Sequence, residues 1–100
     1  MTKKGGITEL VKIFALAAAR NVTVMVHAFY DGPGLLAAIH TSAALGSGES
    51  MIEWRRFDLE AQLYGGALLP VDGHIPVPAG PGLGIDPDAD VTHAFTVATV

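Results

Sequence analysis

A chain of 100 residues with a formal charge of −4 at pH 7 and no cysteine has room for one small core and no disulfide framework or thiolate metal site. Its six lysines and arginines argue against a nucleic acid or an anionic membrane as partner. Half of the residues are hydrophobic and the mean hydropathy is +0.41, which indicates apolar faces that another surface covers.

The apolar runs are too short for a membrane span. The longest, residues 11–19, is broken by Lys12. Two lysines follow Met1, but Glu9 and Lys12 interrupt the run that a signal peptide needs. The sequence therefore predicts a cytoplasmic protein.

The first predicted element is a helix from about Thr8 to Arg20. Thr8 follows a Gly-Gly loop and is the candidate N-cap, and Glu9 suits the positive first turn. Asn21 is expected in the left-handed conformation that ends helices. Four apolar residues repeat at helical spacing and predict the buried stripe: Leu10, Ile13, Phe14 and Ala17.

Residues 21–27 form a β-branched apolar run that ends on His27. A buried parallel strand reads as such a run, and in α/β folds sites are built at the carboxyl edge of the sheet. Imidazole titrates close to neutral pH, as a general acid or base must. His27 is therefore the leading catalytic candidate, and a structural histidine is the alternative.

A second helix and a second strand follow. Asp31 or Gly32 is expected to cap the helix, with Pro33 at its first position. The helix is predicted to run to about Leu45, and residues 46–48 end it. A strand over residues 50–54 completes a unit of the size of a right-handed βαβ motif.

Glu53 lies near the end of that second predicted strand. It is the second catalytic candidate, with a solvated ion pair to Arg55 or Arg56 as the alternative. Three aromatic residues near the strand ends are candidates for substrate binding, although such residues are as often core: Phe29, Tyr30 and Trp54.

The last third has a different character. Residues 58–64 predict a short helical turn, and residues 67–78 predict two short strands around the Asp72-Gly73 turn. Residues 80–88 predict a rigid, extended exit, whose Gly-Pro-Gly run is a structural turn because it lacks the Lys and Ser or Thr of a phosphate loop. Residues 91–100 have weak strand propensity.

The other histidines show no metal-ligand pattern. His40 falls in the middle of the second predicted helix and is interpreted as structural. His74 and His93 have no ligand spacing with each other or with His27, so no metal ligand is predicted in this chain.

The order of these motifs resembles the carboxyl-terminal portion of the mandelate racemase and muconate lactonising enzyme family, within the enolase superfamily. The resemblance covers residues 4–88. It is carried by these motifs: Gly5-Gly6-Ile7-Thr8-Glu9, Val26-His27, Gly32-Pro33-Gly34, Ile52-Glu53-Trp54, Asp58-Leu59, Asp72-Gly73-His74-Ile75 and Gly80-Pro81-Gly82-Leu83-Gly84-Ile85.

The resemblance implies a barrel enzyme in which Mg²⁺ stabilises an enediolate formed by removing the proton α to a carboxylate. Such enzymes racemise, dehydrate or cycloisomerise small carboxylic acids, many of them sugar acids. His27 would lie at the end of the seventh barrel strand as acid or base. Glu53, near the end of the eighth, would hydrogen-bond the substrate carboxylate or the enediolate. The three Mg²⁺ carboxylates and the partner of His27 belong to strands that precede this chain.

The sequence thus predicts an α/β fold: a partial (β/α) TIM-barrel segment, helix-strand-helix-strand, over residues 1–57. A tail with a β-hairpin, which returns toward a cap domain, follows over residues 58–100. The chain is expected to need the rest of the barrel or self-association. The competing hypothesis is a catalytically inactive, truncated chain that acts at most as an association module.

Overall fold

The computed structural model describes residues 5–48, 50–54 and 58–98. The chain divides into two compact units, Met1–Arg56 and Phe57–Val100. The class is mixed α/β, and the predicted order of helix, strand, helix, strand is confirmed in the first unit. The elements are α1 (Ile7–Ala18), β1 (Met25–Val26), α2 (Pro33–Leu45), β2 (Met51–Ile52) and, in the second unit, α3 (Ala89–Phe95).

Helix α1 begins one residue before the predicted N-cap. Gly6 is the N-cap, with φ 87° and ψ −164° and no side-chain capping bond, so the prediction of Thr8 was wrong. Glycine adopts positive φ without steric strain, and this conformation lets the chain enter the helix at Ile7. Glu9 lies in the first turn as predicted. The helix ends at Ala18, before Arg20, and Asn21 has the predicted left-handed conformation with φ 52°.

Helix α2 forms the core of the first unit. Gly32, not Asp31, is its N-cap, and Pro33 occupies the first helical position as predicted. The helix ends at Gly46, whose N–H donates to the carbonyl of Ser42 over 2.8 Å. The helix contacts both α1 and β2, which explains why its middle is the most buried part of the molecule. The buried side chains include Leu35, Leu36, Ala37, Ala38 and Ile39, which are at most 6% exposed.

Strands β1 and β2 are parallel neighbours, with Met25 opposite Met51 and Val26 opposite Ile52. The predicted strands, residues 21–27 and 50–54, were too long. Within the described residues each strand has a partner on one edge only, so ladder hydrogen bonds order only the stretch where the two meet. A closed barrel remains a prediction.

In the second unit, consecutive turns replace two predicted elements. The N–H groups of Gly65, Ala67 and Leu69 donate to the carbonyls three residues before them over 3.1–3.2 Å. The predicted helical turn at residues 58–64 is absent from the described residues, and so is the first strand of residues 67–78. Gly65, with φ 54°, turns the chain out of a helical path. Tyr64 and Leu68 are buried within this stretch.

The Asp72-Gly73 turn forms with φ 48° and φ 77°, the positive values that a two-residue hairpin turn requires. A single antiparallel bridge between Val71 and His74 closes it, with backbone bonds of 2.8 and 2.9 Å. The predicted pair of hairpin strands is thus limited to one bridge in the described residues.

The glycine-rich run forms the predicted structural turn. Gly80 N–H donates to the carbonyl of Gly84 over 3.2 Å, and Gly84 N–H donates to the carbonyl of Pro81 over 3.0 Å. The predicted extended exit is therefore wrong for residues 80–84, where the backbone reverses. Residues 85–88 have no regular secondary structure, and for them the extended exit stays a prediction.

Helix α3 forms in a stretch for which the sequence indicated only weak strand propensity. Asp88 caps the helix, accepting a hydrogen bond from the N–H of Val91 over 2.9 Å, and Asp90 lies in the first turn. A strand needs a partner, whereas a capped helix satisfies its backbone groups locally. The local capping signal therefore outweighs the β propensity of valine and threonine.

Candidate functional site

The register of the two strands brings His27 and Glu53 together. Each residue comes directly after its strand, and the N–H of Glu53 donates to the carbonyl of Val26 over 3.0 Å. Val26 is buried, and side chains alternate along an extended chain, so His27 projects from the opposite face. The two side chains therefore lie next to each other at the carboxyl edge of the sheet.

The two side chains form a direct polar contact. Nδ1 of His27 hydrogen-bonds Oε2 of Glu53. The imidazole side chain is 64% exposed and the carboxylate side chain 35%, so a solute can reach the pair. The alternative partners of Glu53, Arg55 and Arg56, lie outside the described residues.

The ring of Phe29 also contacts the imidazole of His27. The centroids of the two rings are 5.0 Å apart and the ring planes are inclined by 53°. Nδ1 is engaged by Glu53, and within the described ranges Nε2 of His27 has no hydrogen-bond partner. The pair thus presents one accessible ring nitrogen at the end of a strand, the arrangement that a general acid or base requires.

The other two aromatic candidates are less exposed than Phe29. Tyr30 and Trp54 are both half-buried. Burial raises the pKa of the Tyr30 hydroxyl above its usual value of 10.0, so the phenol is neutral at physiological pH. Their predicted role in substrate binding remains a prediction.

The sequence analysis did not single out Met25 and Met51. They lie opposite each other in the sheet, two residues before His27 and Glu53, and are 58% and 54% exposed. Alternation places them on the same face as the polar pair. The available signal was the spacing, since each methionine lies two residues before a candidate catalytic residue.

The remaining histidines lie elsewhere. His40 lies in α2 and is half-buried. His74 contacts the backbone carbonyl of Asp72 through Nδ1 over 2.9 Å, and His93 lies in α3. No group of three or more histidines or carboxylates that could hold a metal ion occurs in the described part of the chain.

A small cavity lies at the other end of the strands. It has a volume of about 50 Å³, and the residues that line it precede β1 or β2 or belong to the two helices. Ser50 Oγ is buried there and has no hydrogen-bond partner in the part of the chain that is described. Pockets for small-molecule ligands are several times larger, so this cavity suits water molecules better than a sugar acid.

None of the described helices is long and apolar enough to cross a membrane. The family model described as Enolase C-terminal domain-like matches residues 1–91. The chain is also similar to the arabinonate dehydratase of Saccharolobus solfataricus, with 32% identity over 80 residues. That alignment covers 80% of this chain and 21% of the relative, so the chain spans about a fifth of the relative's length. No solved structure matches the chain.

Proposed function

The chain belongs to the enolase C-terminal domain-like family, and on this premise we propose that it is the carboxyl-terminal part of an acid-processing enzyme. The proposed reaction begins with abstraction of the proton α to a carboxylate. His27 is the acid or base, and Glu53 is an accessory group. Residues 1–57 would supply the last two strands and helices of a barrel, and residues 58–100 its tail.

Among racemisation, dehydration and cycloisomerisation, we favour dehydration of a hydroxy acid of the sugar-acid class. The support is the relative, which is named as an arabinonate dehydratase. A dehydratase and a racemase share the first step, because both remove the proton next to the carboxylate. They differ in whether a hydroxyl group on the next carbon then leaves.

The observation that supports this function most directly is the position of Nε2 of His27 at the carboxyl edge of the sheet, where it has no hydrogen-bond partner among the described residues. In a dehydration, the proton leaves Cα, its electron pair forms the new double bond, and the hydroxyl leaves the neighbouring carbon as water. An imidazole can accept the first proton, or give the leaving hydroxide the proton that makes it water. Either role requires an exposed nitrogen, and the His27 side chain is 64% exposed.

Enolase-superfamily enzymes generally use Mg²⁺. The residues described in this chain do not fit such a site. Mg²⁺ binds oxygen ligands in near-octahedral geometry, and the described carboxylates form no cluster of three. We therefore place the Mg²⁺ ligands in the rest of the enzyme, and give residues of this chain only proton transfer and positioning.

The partners proposed for this chain are a small carboxylic or sugar acid and the remaining strands of the barrel, or a second copy that covers the same surface. The support is the uncovered face of the sheet. Met25 and Met51 are more than half exposed there, although methionine is usually buried. Phe29, Tyr30 and Trp54 remain candidates to line the substrate site. The inactive-module hypothesis is not favoured by the relative, which is a dehydratase.

The test is His27→Asn in the whole enzyme, or in a chimera in which this chain replaces the aligned segment of the dehydratase relative. Asparagine keeps a hydrogen-bonding group of similar size but does not carry a proton near neutral pH. We expect turnover to fall by roughly 10²–10⁴, while substrate binding and folding change little. Turnover and exchange of the α-proton with deuterated solvent are the measurements.

Both epimers at Cα must be assayed, because a base on the opposite face could exchange one of them without His27. We expect loss of exchange for one epimer only. His93→Asn is the matched control, since His93 is exposed in α3, and it should exchange at the parent rate. Exchange of both epimers at the parent rate in His27→Asn would show that His27 is structural.

A further inference from the structure

The dipeptide Asp-Gly occurs twice in this chain, at Asp31-Gly32 and at Asp72-Gly73. Glycine has no side chain to hinder its own backbone nitrogen, and this nitrogen can attack the carboxyl carbon of an aspartate that precedes it. The two copies share this chemistry and differ in the structure around them. The fold therefore decides which of them can react.

The second copy forms the hairpin turn of the second unit. Asp72 and Gly73 are both exposed, and a Cβ on Gly73 would meet nothing within 4 Å, so no neighbouring atom shields the dipeptide. Within the described residues, neither the carboxylate of Asp72 nor the N–H of Gly73 has a hydrogen-bond partner. Both groups that would react are therefore accessible.

Ring closure requires the backbone of Asp72 to rotate, so the turn must open. A single antiparallel bridge between Val71 and His74 holds it, together with a contact from Nδ1 of His74 to the carbonyl of Asp72. Asp72 has φ 48°, a left-handed conformation that costs a non-glycine residue energy. Exposed segments with few buried contacts open most readily, so opening this turn costs little.

The first copy lies at the start of the core helix. Gly32 is buried and is the N-cap of α2, and its carbonyl accepts from the N–H groups of Leu35 and Leu36 over 3.0 and 3.4 Å. Both leucines are 1% exposed. Rotation of the backbone at Asp31 would pull the start of this helix out of the core, so the reaction there requires unfolding of a larger part of the first unit.

We propose that Asp72 is a site of spontaneous isomerisation to isoaspartate, and that the fold protects Asp31 from the same reaction. The nitrogen of Gly73 bonds to the side-chain carboxyl carbon of Asp72, and the amide hydrogen and the hydroxyl of the protonated carboxyl leave as water. A water molecule then opens the succinimide ring at either carbonyl. Attack at the main-chain carbonyl leaves the chain running through the side-chain carbon, and attack at the other carbonyl restores aspartate.

Isoaspartate adds an atom to the backbone of the turn, so Val71 and His74 would lose their matched pairing. The reaction involves neither a substrate nor a residue of the candidate site, so it does not depend on the proposed function.

The experiment is a prolonged incubation of the full chain in warm, neutral buffer, with and without urea. Trypsin cleaves after lysine and arginine, and cleavage after Arg20, Arg55 and Arg56 leaves Asp31 and Asp72 on different peptides. Isoaspartate in each peptide is measured by methyl transfer from S-adenosylmethionine, catalysed by an isoaspartyl methyltransferase. A shift in chromatographic retention at unchanged mass identifies the isomer independently.

In buffer we expect isoaspartate to accumulate at Asp72 at least about tenfold faster than at Asp31, because opening the turn costs less than unfolding the start of α2. In urea both positions should react at similar rates, which gives the reactivity of the dipeptide without the fold. Asp72→Glu should abolish the isoaspartate formed in buffer, since the longer side chain would have to close a larger, less favourable ring. Asp31→Glu is the matched control and should leave it unchanged.

Equal rates at the two positions in buffer would overturn the proposal, because the fold would then not distinguish them. A chain that forms isoaspartate at both positions in urea but none at Asp72 in buffer would overturn it as well, because the turn would then be protected like the helix start. The comparison of the two positions uses the parent chain alone, so it decides the proposal even if Asp72→Glu does not fold.

Discussion

Helix α2 and the segment after residue 58 bury their side chains to very different extents. Leu35, Leu36 and Ala38 of α2 are at most 1% exposed, whereas Tyr64 and Leu68 are the only buried hydrophobic residues among those described in the second unit. The second unit is ordered instead by turns, several of them at glycines with positive φ. Apolar packing thus defines the first unit, and backbone conformation defines the second.

The largest expected effect is therefore a core truncation in the first unit. Leu36→Ala removes a side chain that is 1% exposed, and such truncations cost about 2–5 kcal/mol. A core of this size rarely supplies more than about 3–5 kcal/mol, so the unit should lose its helices. Far-UV circular dichroism measures that loss.

The matched control is Val97→Ala in the second unit. Val97 is 84% exposed, and exposed substitutions change stability by less than about 0.5 kcal/mol. Equal helix loss in the two variants would contradict the difference between the units.

The next effect concerns the uncovered face of the sheet in the first unit. The chain alone is expected to associate and to bind hydrophobic dyes, because Met25 and Met51 expose apolar surface beside strand edges that have no partner within the described ranges. Changing both residues to glutamine should reduce dye fluorescence and shift size-exclusion elution toward the monomer. Burial of a methionine contributes about 1.5–3 kcal/mol, which sets the upper limit for each substitution.

Val97→Gln is the control for that experiment, since Val97 is the most exposed large hydrophobic residue of the described chain but lies in the second unit. It should leave elution and dye binding unchanged. A sharp monomer without dye binding in the parent chain would mean that the face needs no cover.

The first unit was also the more predictable of the two. Apolar spacing located α1 and α2, and glycine and proline chemistry located Gly32, Pro33 and Gly46. His27 and Glu53 were predicted at the two strand ends of one motif, but their contact was not predicted; parallel pairing with matched register produces it. Strand lengths could not be predicted, because they depend on which neighbouring strands are present.

The predictions for the second unit were wrong where capping and turn residues compete with the strand or helix propensity of the residues around them. The valines and threonines of residues 91–100 favour a strand, but Asp88 caps a helix there, and that signal was present in the sequence. The stretch 58–64 has helix-forming residues, yet Gly65 and Gly66 follow it and the chain turns instead. Glycines that allow turns can be identified in a sequence, but the contacts that each turn brings about cannot be predicted from it.

Gly84 tests whether backbone conformation orders the second unit. It has φ +86°, and a Cβ there would lie 2.4 Å from the carbonyl oxygen of Pro78. Gly84→Ala should therefore cost more than the 1–2 kcal/mol or so of a left-handed alanine alone. Amide hydrogen exchange at Gly80, whose N–H donates to Gly84, measures the opening of the turn.

Gly82→Ala is the matched control, because Gly82 also has positive φ, +64°, but a Cβ there meets nothing within 4 Å. It should show the conformational cost without the clash. Equal exchange rates at Gly80 in the two variants would mean that the close approach to Pro78 contributes nothing to the turn.

The smallest effect is expected at the cap of α3. This helix has seven residues and no buried side chain, and isolated helices shorter than about 12–15 residues are marginal in water. Its first turn depends on Asp88, whose carboxylate accepts from Val91 N–H over 2.9 Å and whose own N–H donates to the carbonyl of Leu63 over 2.7 Å.

Asp88→Ala removes the side-chain bond but keeps the backbone bond to Leu63, so it should cost about 0.5–2 kcal/mol. Because α3 has no buried side chain to offset that loss, the helix should melt while the turns before it persist. Asp88→Asn keeps an acceptor and should retain the helix.

Asp86→Ala is the control for net charge, because it removes a nearby exposed carboxylate that lies outside the helix. Amide exchange at Thr92, whose N–H donates to the carbonyl of Asp88 over 2.9 Å, is the measurement. If amide exchange at Thr92 accelerated equally in Asp86→Ala and Asp88→Ala, the effect would come from net charge. The cap would then not be what stabilises α3.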